Sequence, residues 1–263
     1  PGGAPQAVEV DVVSVASDSV VFTQDLPGRL EAYRTAQVRA RVEGVVEKRL
    51  FTEGSDVSAG TSLFRIDARS YTSAHEAARA DMEVAHRNLE RYKPLLAAKV
   101  VSQQAYDLVD AKFRQTQAAL TKAQIDLENA HVPAPISGHI GRAQVTEGAL
   151  VGRGDATLLA TIEQIDPIYA NFTQSGADVL RLKQAIKSGK LKRAGSDKVE
   201  LMLEDGSVYA LPGKLLFSDL AVDPATGSVS IRALFPNPKH ELLPGMFARI
   251  RFPESSADNS IRL

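Results

Sequence analysis

Five histidines, one glycine-rich turn and one tripeptide are the places where this sequence could do chemistry, and each falls short of a site. The histidines are His75, His86, His131, His139 and His240. His75-Glu76-Ala77-Ala78-Arg79 begins like a zinc-protease helix motif, which needs a second imidazole four residues on to complete the metal's ligands. Arg79 stands there instead, so the pattern calls for no metal and His75 reads as a seam or surface residue. Gly152-Arg153-Gly154-Asp155-Ala156-Thr157 opens like a dinucleotide loop, whose glycines let backbone approach a pyrophosphate. It lacks the third glycine and no helix pattern follows, so it reads as a β-turn. Arg153-Gly154-Asp155 matches an adhesion tripeptide, a match short enough to recur by chance. No Gly-x-Ser-x-Gly elbow and no Gly-x-x-x-x-Gly-Lys phosphate loop occurs. With no cysteine, disulfides and thiolate metal sites are excluded. The residues call for no metal and no cofactor, and they point away from an enzyme.

Charge and hydropathy narrow the classes further. Thirty-one basic residues nearly cancel thirty-two acidic ones in a chain of 263, so no global field favours nucleic acid or an anionic membrane. No window approaches the roughly twenty consecutive apolar residues that cross a bilayer, and no signal-sequence pattern opens the chain.

The strongest pattern is structural. Tyr71, His75, Ala78, Met82, Ala85, Leu89, Tyr92 and Leu96 follow one another at alternating steps of four and three. Tyr106, Val109, Phe113, Thr116, Leu120, Ala123, Leu127 and Ala130 do the same. That alternation is the 3.5-residue period that keeps one seam facing a partner helix. With only a corner at Lys99-Val100-Val101 between them, the arms must fold back antiparallel, as a coiled-coil hairpin over 70–130. Charged residues such as Arg79, Glu83, Arg87, Lys112 and Lys122 fill the other faces, so the hairpin reads as an arm held at its base. Ser73 with Glu76, or Ser70, suits the first N-cap, and Ser102 suits the second. Pro94 should kink the first arm or end it near Lys93.

On either side of the hairpin lies an internal repeat. Shifting the chain by 94 residues lays Ala36–Gly60 on Ala130–Gly154, with nine identities in twenty-five positions and no gap. Gly44/Gly138, Thr52/Thr146, Glu53/Glu147, Gly54/Gly148 and Val57/Val151 are among them. The shared glycines Gly44, Gly54, Gly138 and Gly148 suit turns with positive φ or close backbone approach. Two copies of one strand pattern predict two halves that pair into a small β-sandwich, with the hairpin inserted between them.

Pro1 to Gln6 reads as a flexible leader, and Ala7 to Val21 as half-buried strand. Leu26-Pro27-Gly28 reads as a turn. After Ile162, strand signals fall at Pro167–Phe172, Val199–Leu203, Val208–Leu211, Lys214–Leu220, Gly227–Phe235 and Met246–Phe252. A short helix, capped by Ser175, is expected over 176–188 with Val179, Leu182, Ala185 and Ile186 on its apolar face. These strands predict a small antiparallel β-barrel closed by a strand from the N-terminal segment. The fold class is mixed α and β, elongated and multi-domain.

Particular phrases now point to a family. Asp25-Leu26-Pro27-Gly28-Arg29 is one, and Lys48-Arg49-Leu50-Phe51-Thr52-Glu53-Gly54-Ser55-Asp56-Val57 another. Pro135-Ile136-Ser137-Gly138-His139-Ile140-Gly141-Arg142 and Val145-Thr146-Glu147-Gly148-Ala149-Leu150-Val151 repeat the theme. Gln164-Ile165-Asp166-Pro167-Ile168-Tyr169, Phe235-Pro236-Asn237-Pro238 and Leu242-Leu243-Pro244-Gly245-Met246-Phe247 complete it. Over nearly all of 8–252 the chain resembles the periplasmic adaptor proteins, or membrane fusion proteins, of tripartite multidrug efflux pumps, in the subgroup serving proton-driven transporters of the resistance-nodulation-division (RND) class.

The resemblance implies a domain plan. Residues 1–19 would be a leader and the start of a membrane-proximal region, and 20–35 with 164–252 a β-barrel. Residues 36–69 with 131–163 would be a lipoyl-like domain, 70–130 the hairpin, and 253–263 a tail toward the rest of the membrane-proximal domain. The chain stops where the family continues and lacks the N-terminal lipidated cysteine of many members, so it is read as part of a longer protein attached to the inner membrane. The implied function is a non-catalytic periplasmic adaptor, without cofactor, joining an inner-membrane RND transporter to an outer-membrane channel in a hexameric funnel. Docking onto the channel would use the family's Arg, Leu, Ser signature at the hairpin tip, here Arg91, Leu95 and Ser102. Met82, Leu89, Tyr92, Leu96, Val109, Phe113, Leu120 and Leu127 would hold the seam behind it. Two alternatives are weighed: an adaptor for an ATP-driven exporter, which the same architecture serves, and a biotinyl or lipoyl carrier domain. The carrier needs a modifiable lysine where this chain has its sixty helical residues.

Overall fold

A computed structural model gives the backbone of residues 17–152, 156–177, 180–181, 184, 192–193, 198–223 and 227–261. Within these it gives the side chains of 25–152, 156–177, 180–181, 184, 198–216, 223 and 227–251. The chain divides into two units, one made of 1–33 and 165–263 and the other of 34–164.

In the second unit the four-three pattern becomes two helices, α1 (Arg69–Ala97) and α2 (Gln103–Asn129). They run antiparallel: the His86 ring lies 5.3 Å from that of Phe113, the two residues flanking the corner from opposite arms. Ala85, Leu89, Thr116 and Ala130 are buried, and the other periodic positions are half-buried. Thr116 satisfies its hydroxyl on the Phe113 carbonyl at 2.9 Å, so a polar residue sits in the seam without an unpaired group. Ion pairs one turn apart, such as Arg79–Glu83 at 3.3 Å, occupy the outer faces.

Two expectations at the ends of α1 need correction. Neither Ser70 nor Ser73 caps the helix, which starts earlier, at Arg69. The Asp67 carboxylate accepts the Arg69 N–H at 3.0 Å, because the preceding strand ends at Ile66 and delivers Asp67 to the helix mouth. Nor does Pro94 end the arm near Lys93, since α1 continues to Ala97. Pro94 removes the N–H that would reach Glu90, yet its own carbonyl still accepts the Ala98 N–H at 2.9 Å and closes the last turn.

The repeat forms one sandwich by exchanging strands. The first copy contributes β2 (Gly44–Arg49) and β3 (Asp56–Val57) and is followed by β4 (Ser62–Ile66). The second contributes β5 (His131–Pro133), β6 (Gly138–Ile140) and β7 (Leu150–Val151). Gly44 pairs with Val151 across β2 and β7, and Val57 with Gly138 across β3 and β6, so a 94-residue shift converts one pairing into the other. The hydrogen bonds obey the same exchange: Val46 N–H to Ala149 C=O at 2.9 Å matches Ile140 N–H to Ser55 C=O at 3.0 Å. One core unites the copies, with Val38, Ala40, Val46 and Val57 beside Val132, Ala134, Ile140 and Val151. The hairpin root joins this core through Tyr71, whose hydroxyl donates to the Glu43 carbonyl at 2.6 Å.

The other unit is a barrel. Its strands are the first part of β1 (Ser17–Arg39), the second part of β8 (Leu158–Ser175), β10 (Lys198–Met202), β11 (Gly213–Val222), β12 (Ser228–Phe235) and β13 (Phe247–Ile261). The short β9 (Lys192–Arg193) adds to β13. Hydrogen-bonded neighbours run β1, β13, β10, β11, β12, β8, and β8 pairs back onto β1, closing the ring. Alternate residues point inward, as a half-buried strand requires: Ile168, Ala170 and Phe172 on β8, and Val229, Ile231, Ala233 and Phe235 on β12.

The barrel corrects two readings and adds to a third. Leu26-Pro27-Gly28 is strand, with Leu26 opposite Ile250 and Gly28 opposite Ala248. Leu30 exchanges backbone bonds with Met246 and Gly245, so the even-numbered residues bond β13 and Pro27 owes that ladder no N–H. Val208–Leu211 is reduced to a single bridge from Val208 to Met202. The tail is strand as far as Ile261, which faces Ser17. Of the helix expected over 176–188, residues 176–177, 180–181 and 184 are helical, while Val179, Leu182, Ala185 and Ile186 lie outside the described residues. The leader through residue 16 and the Arg153-Gly154-Asp155 tripeptide also lie outside them.

Candidate functional site: the hairpin tip

The corner between α1 and α2 is built by backbone chemistry. Ala98 caps α1 and Lys99 follows in the left-handed region at φ 56°. The Lys99 N–H donates to Leu96 C=O and the Val100 N–H to Leu95 C=O, both at 2.9 Å. These two bonds make a Schellman motif, which normally places glycine where Lys99 stands. Ser102 then starts α2, its Oγ accepting the Ala105 N–H at 3.1 Å.

This corner displays its side chains to solvent. Leu95 is 38 % exposed and Val100 69 % exposed. Arg91 lies one turn before Leu95 on α1, exposed, with a guanidinium N–H donated to Asn88 Oδ1. Only a fraction of its five donors is used, leaving a charged fork free to meet carbonyls or a carboxylate. Lys93 pairs with Glu90 at 2.5 Å, which holds the Glu90 carboxyl below and the Lys93 ammonium above their ordinary ranges. Behind the tip, Leu89 is buried, and Tyr92, Leu96, Val109, Phe113, Met82, Leu120 and Leu127 are half-buried between the arms. The tip thus combines an apolar edge, a cation and a capped helix start, which suits recognition of another protein's surface.

Other positions singled out in the sequence have structural roles. His75 is half-buried in the seam, and Arg79 pairs with Glu83. Gly54 and Gly148 adopt φ of 72° and 85° at equivalent turns. At Gly44 an added Cβ would meet Ile66 Cγ2 at 2.6 Å, and at Gly138 the Glu163 carbonyl at 2.5 Å, so both serve close approach. Among the described residues no three His, Asp or Glu side chains gather as metal ligands, and no helix is long and apolar enough to cross a membrane. Asn237 carries a role the sequence did not signal beyond its place in a conspicuous phrase. Fully buried, it donates to the Ile165 and Leu242 carbonyls at 3.0 and 2.8 Å and accepts the Leu242 N–H at 3.1 Å.

A closed six-stranded barrel, a strand-exchanged sandwich and a helical hairpin inserted in it define an adaptor of the membrane fusion type. The chain belongs to the RND membrane fusion protein (MFP) family: residues 34–163 match the RND MFP barrel-sandwich hybrid domain, and 167–256 the RND MFP beta-barrel domain. It is 48% identical over 260 residues to the antibiotic efflux pump periplasmic linker protein ArpA of Pseudomonas putida, covering 98% of this chain and 70% of that one. It is 46% identical to the multidrug resistance protein MexA of Pseudomonas aeruginosa, covering 97% and 67%. With the multidrug efflux pump subunit AcrA of Escherichia coli it shares 45% identity, covering 98% and 69%. Among solved structures, a MacA–MexA chimera carrying the MexA α-hairpin domain superposes with a TM-score of 0.77 at 22% identity, covering 95% of this chain and 87% of that one. MacA from Actinobacillus actinomycetemcomitans gives 0.61 at 19%, covering 96% and 84%. At these identities the two structures speak to the fold.

Proposed function

We propose that this chain is the periplasmic adaptor of an RND-type multidrug efflux pump, joining an inner-membrane proton-driven transporter to an outer-membrane channel. The observation that carries the reading is the hairpin: its burial is spent on its own seam, and Arg91, Leu95 and Val100 stand uncovered at the tip. Membership of the RND family favours this over an adaptor for an ATP-driven exporter. In the proposal the protein is non-catalytic and works in the periplasm, held at the inner membrane. Six copies surround a sealed conduit.

Arg91, Leu95 and Ser102 are the proposed docking residues for the channel. Arg91 offers its fork, Leu95 an apolar contact one turn later, and Ser102 fixes the direction in which α2 leaves the corner. The test is Arg91→Asp in cells whose drug resistance depends on this protein. The expected result is lost resistance, with an unchanged melting curve and retained co-purification with the inner-membrane transporter. Resistance at the wild-type level would reject the docking role. A cysteine placed at Leu95 should also cross-link to the outer-membrane channel.

A further inference from the structure

The two repeats are related by strand exchange, and where their first strands meet there is a groove of about 430 Å³. Its two walls are equivalent segments: 37–41 on one side and 131–135 on the other, the 94-residue shift again. The chemistry of the walls breaks that symmetry. Arg39 and Arg41 on the first copy correspond to Pro133 and Pro135 on the second. Val38 and Val132, 3 % and 7 % exposed, lie at matching places beneath.

The Arg side is prepared for an anion. Arg39 is held by three bonds: Nε and a terminal nitrogen to Gln37 Oε1 at 3.2 and 3.0 Å, and the other terminal nitrogen to the Ala156 carbonyl at 2.7 Å. All three are to neutral acceptors, so its charge is oriented without being neutralised. Among the described residues neither Asp nor Glu lines the groove, and neither guanidinium is ion-paired with a described carboxylate. His131 and Asn129 add hydrogen-bonding groups at one end.

The Pro side narrows the occupant. The strand β5 is the edge of its four-stranded sheet, a place where an extended peptide could add. Pro133 and Pro135 present no N–H there, which denies an added strand its ladder. What remains is a flat apolar wall opposite two guanidinium groups, in a volume within the usual range for small-molecule sites. We propose that this groove binds a small amphipathic organic anion, its acidic group on Arg39 and Arg41 and its apolar body against the exposed rings of Pro133 and Pro135.

The test uses the whole chain and two fluorescent probes of nearly the same shape, anilinonaphthalenesulfonate and its uncharged parent N-phenylnaphthylamine. The sulfonate should bind one-to-one, more weakly as salt is raised, and at least about ten-fold more tightly than the uncharged probe. Arg41→Gln, whose side chain holds no other described element in place, should weaken sulfonate binding about five-fold or more with an unchanged melting curve. Arg39→Gln should do the same, and Arg114→Gln on α2 should change nothing. Equal affinity for the two probes, absence of saturable sulfonate binding, or indifference to Arg41→Gln would each overturn the proposal.

Discussion

Glu53 and Glu147 occupy equivalent positions in the two repeats, and each accepts a backbone N–H from the other copy, Ala143 at 2.8 Å and Arg49 at 3.1 Å. The Arg49 guanidinium also pairs with Glu53 at 2.8 Å, so one residue touches both carboxylates. The bond from Ala143, above all, holds the Glu53 carboxyl below its usual range. Glu53→Ala or Glu147→Ala should each lower Tm by about 2–4 °C. The double variant should depart from the sum of the singles because Arg49 couples the two sites. Strict additivity in thermal melts would show that the clasps act separately.

Asp67 sets the acid response of the hairpin root. Bonds from the Arg69 side chain and backbone bring its carboxyl from an ordinary 3.8 down to about 2. A carboxylate lowered on folding contributes stability that is fully present above 3.8 and disappears as pH falls through about 2. NMR titration should therefore place the Asp67 midpoint near 2. Asp67→Asn should speed amide exchange in the first turn of α1 at neutral pH and remove that turn's acid sensitivity between pH 4 and pH 2, roughly the span of the two states.

Lys99 holds a left-handed conformation that costs a side chain about 1–2 kcal/mol relative to glycine. Lys99→Gly should recover up to about 1 kcal/mol at the corner after glycine's own entropy cost. Lys99→Val should lose stability, since a branched Cβ is poorly tolerated at positive φ. Exchange protection of the Val100 and Ala98 amides reads both effects directly.

Gly28 admits β8 to the barrel. A Cβ there would lie 2.5 Å from the Asn171 carbonyl oxygen and 2.9 Å from Phe172 Cβ. Gly28→Ala should destabilise the barrel by about 1–3 kcal/mol as the closing strands are pushed apart. Denaturant unfolding followed by tyrosine fluorescence would measure it, and an unchanged midpoint would place the closure elsewhere.

How much of this was legible in the amino-acid order depends on the range of the cause. The hairpin declared itself because beyond its root, where Tyr71 and Ala130 join the sandwich core, burial on its arms comes from the facing arm, and a single source leaves a clean period. The repeat was legible because Gly44, Gly138, Gly54 and Gly148 answer to backbone geometry that few other residues tolerate. Pro27-Gly28 misled for the converse reason. Locally the pair is turn chemistry, and only the distant partners Ala248 and Asn171 make it strand. The first helix cap failed likewise: Ser73 with Glu76 is a sound local pattern, but β4, paired with β5, ends at Ile66, and the helix starts at Arg69 with the Asp67 carboxylate on its first N–H. At the tip, Arg91, Leu95 and Ser102 were singled out only through the resemblance to a family with an Arg, Leu, Ser signature there, whereas the exposure of Val100 and the left-handed Lys99 emerged only from the folded corner.

The roots of the hairpin are next-door neighbours. Ile66 donates its N–H to the Ala130 carbonyl at 2.9 Å, and Arg65 faces His131 in the β4–β5 ladder. The chain therefore leaves the sandwich and re-enters it through one doorway, which stays shut whatever length is threaded between. Doubling such an insertion costs only about 0.6 kcal/mol in closure entropy. Seven extra residues per arm would extend it about 10 Å and keep the apolar stripe in phase. The hairpin is in this sense a cassette, whose reach can be retuned or transplanted while the body that carries it stays the same.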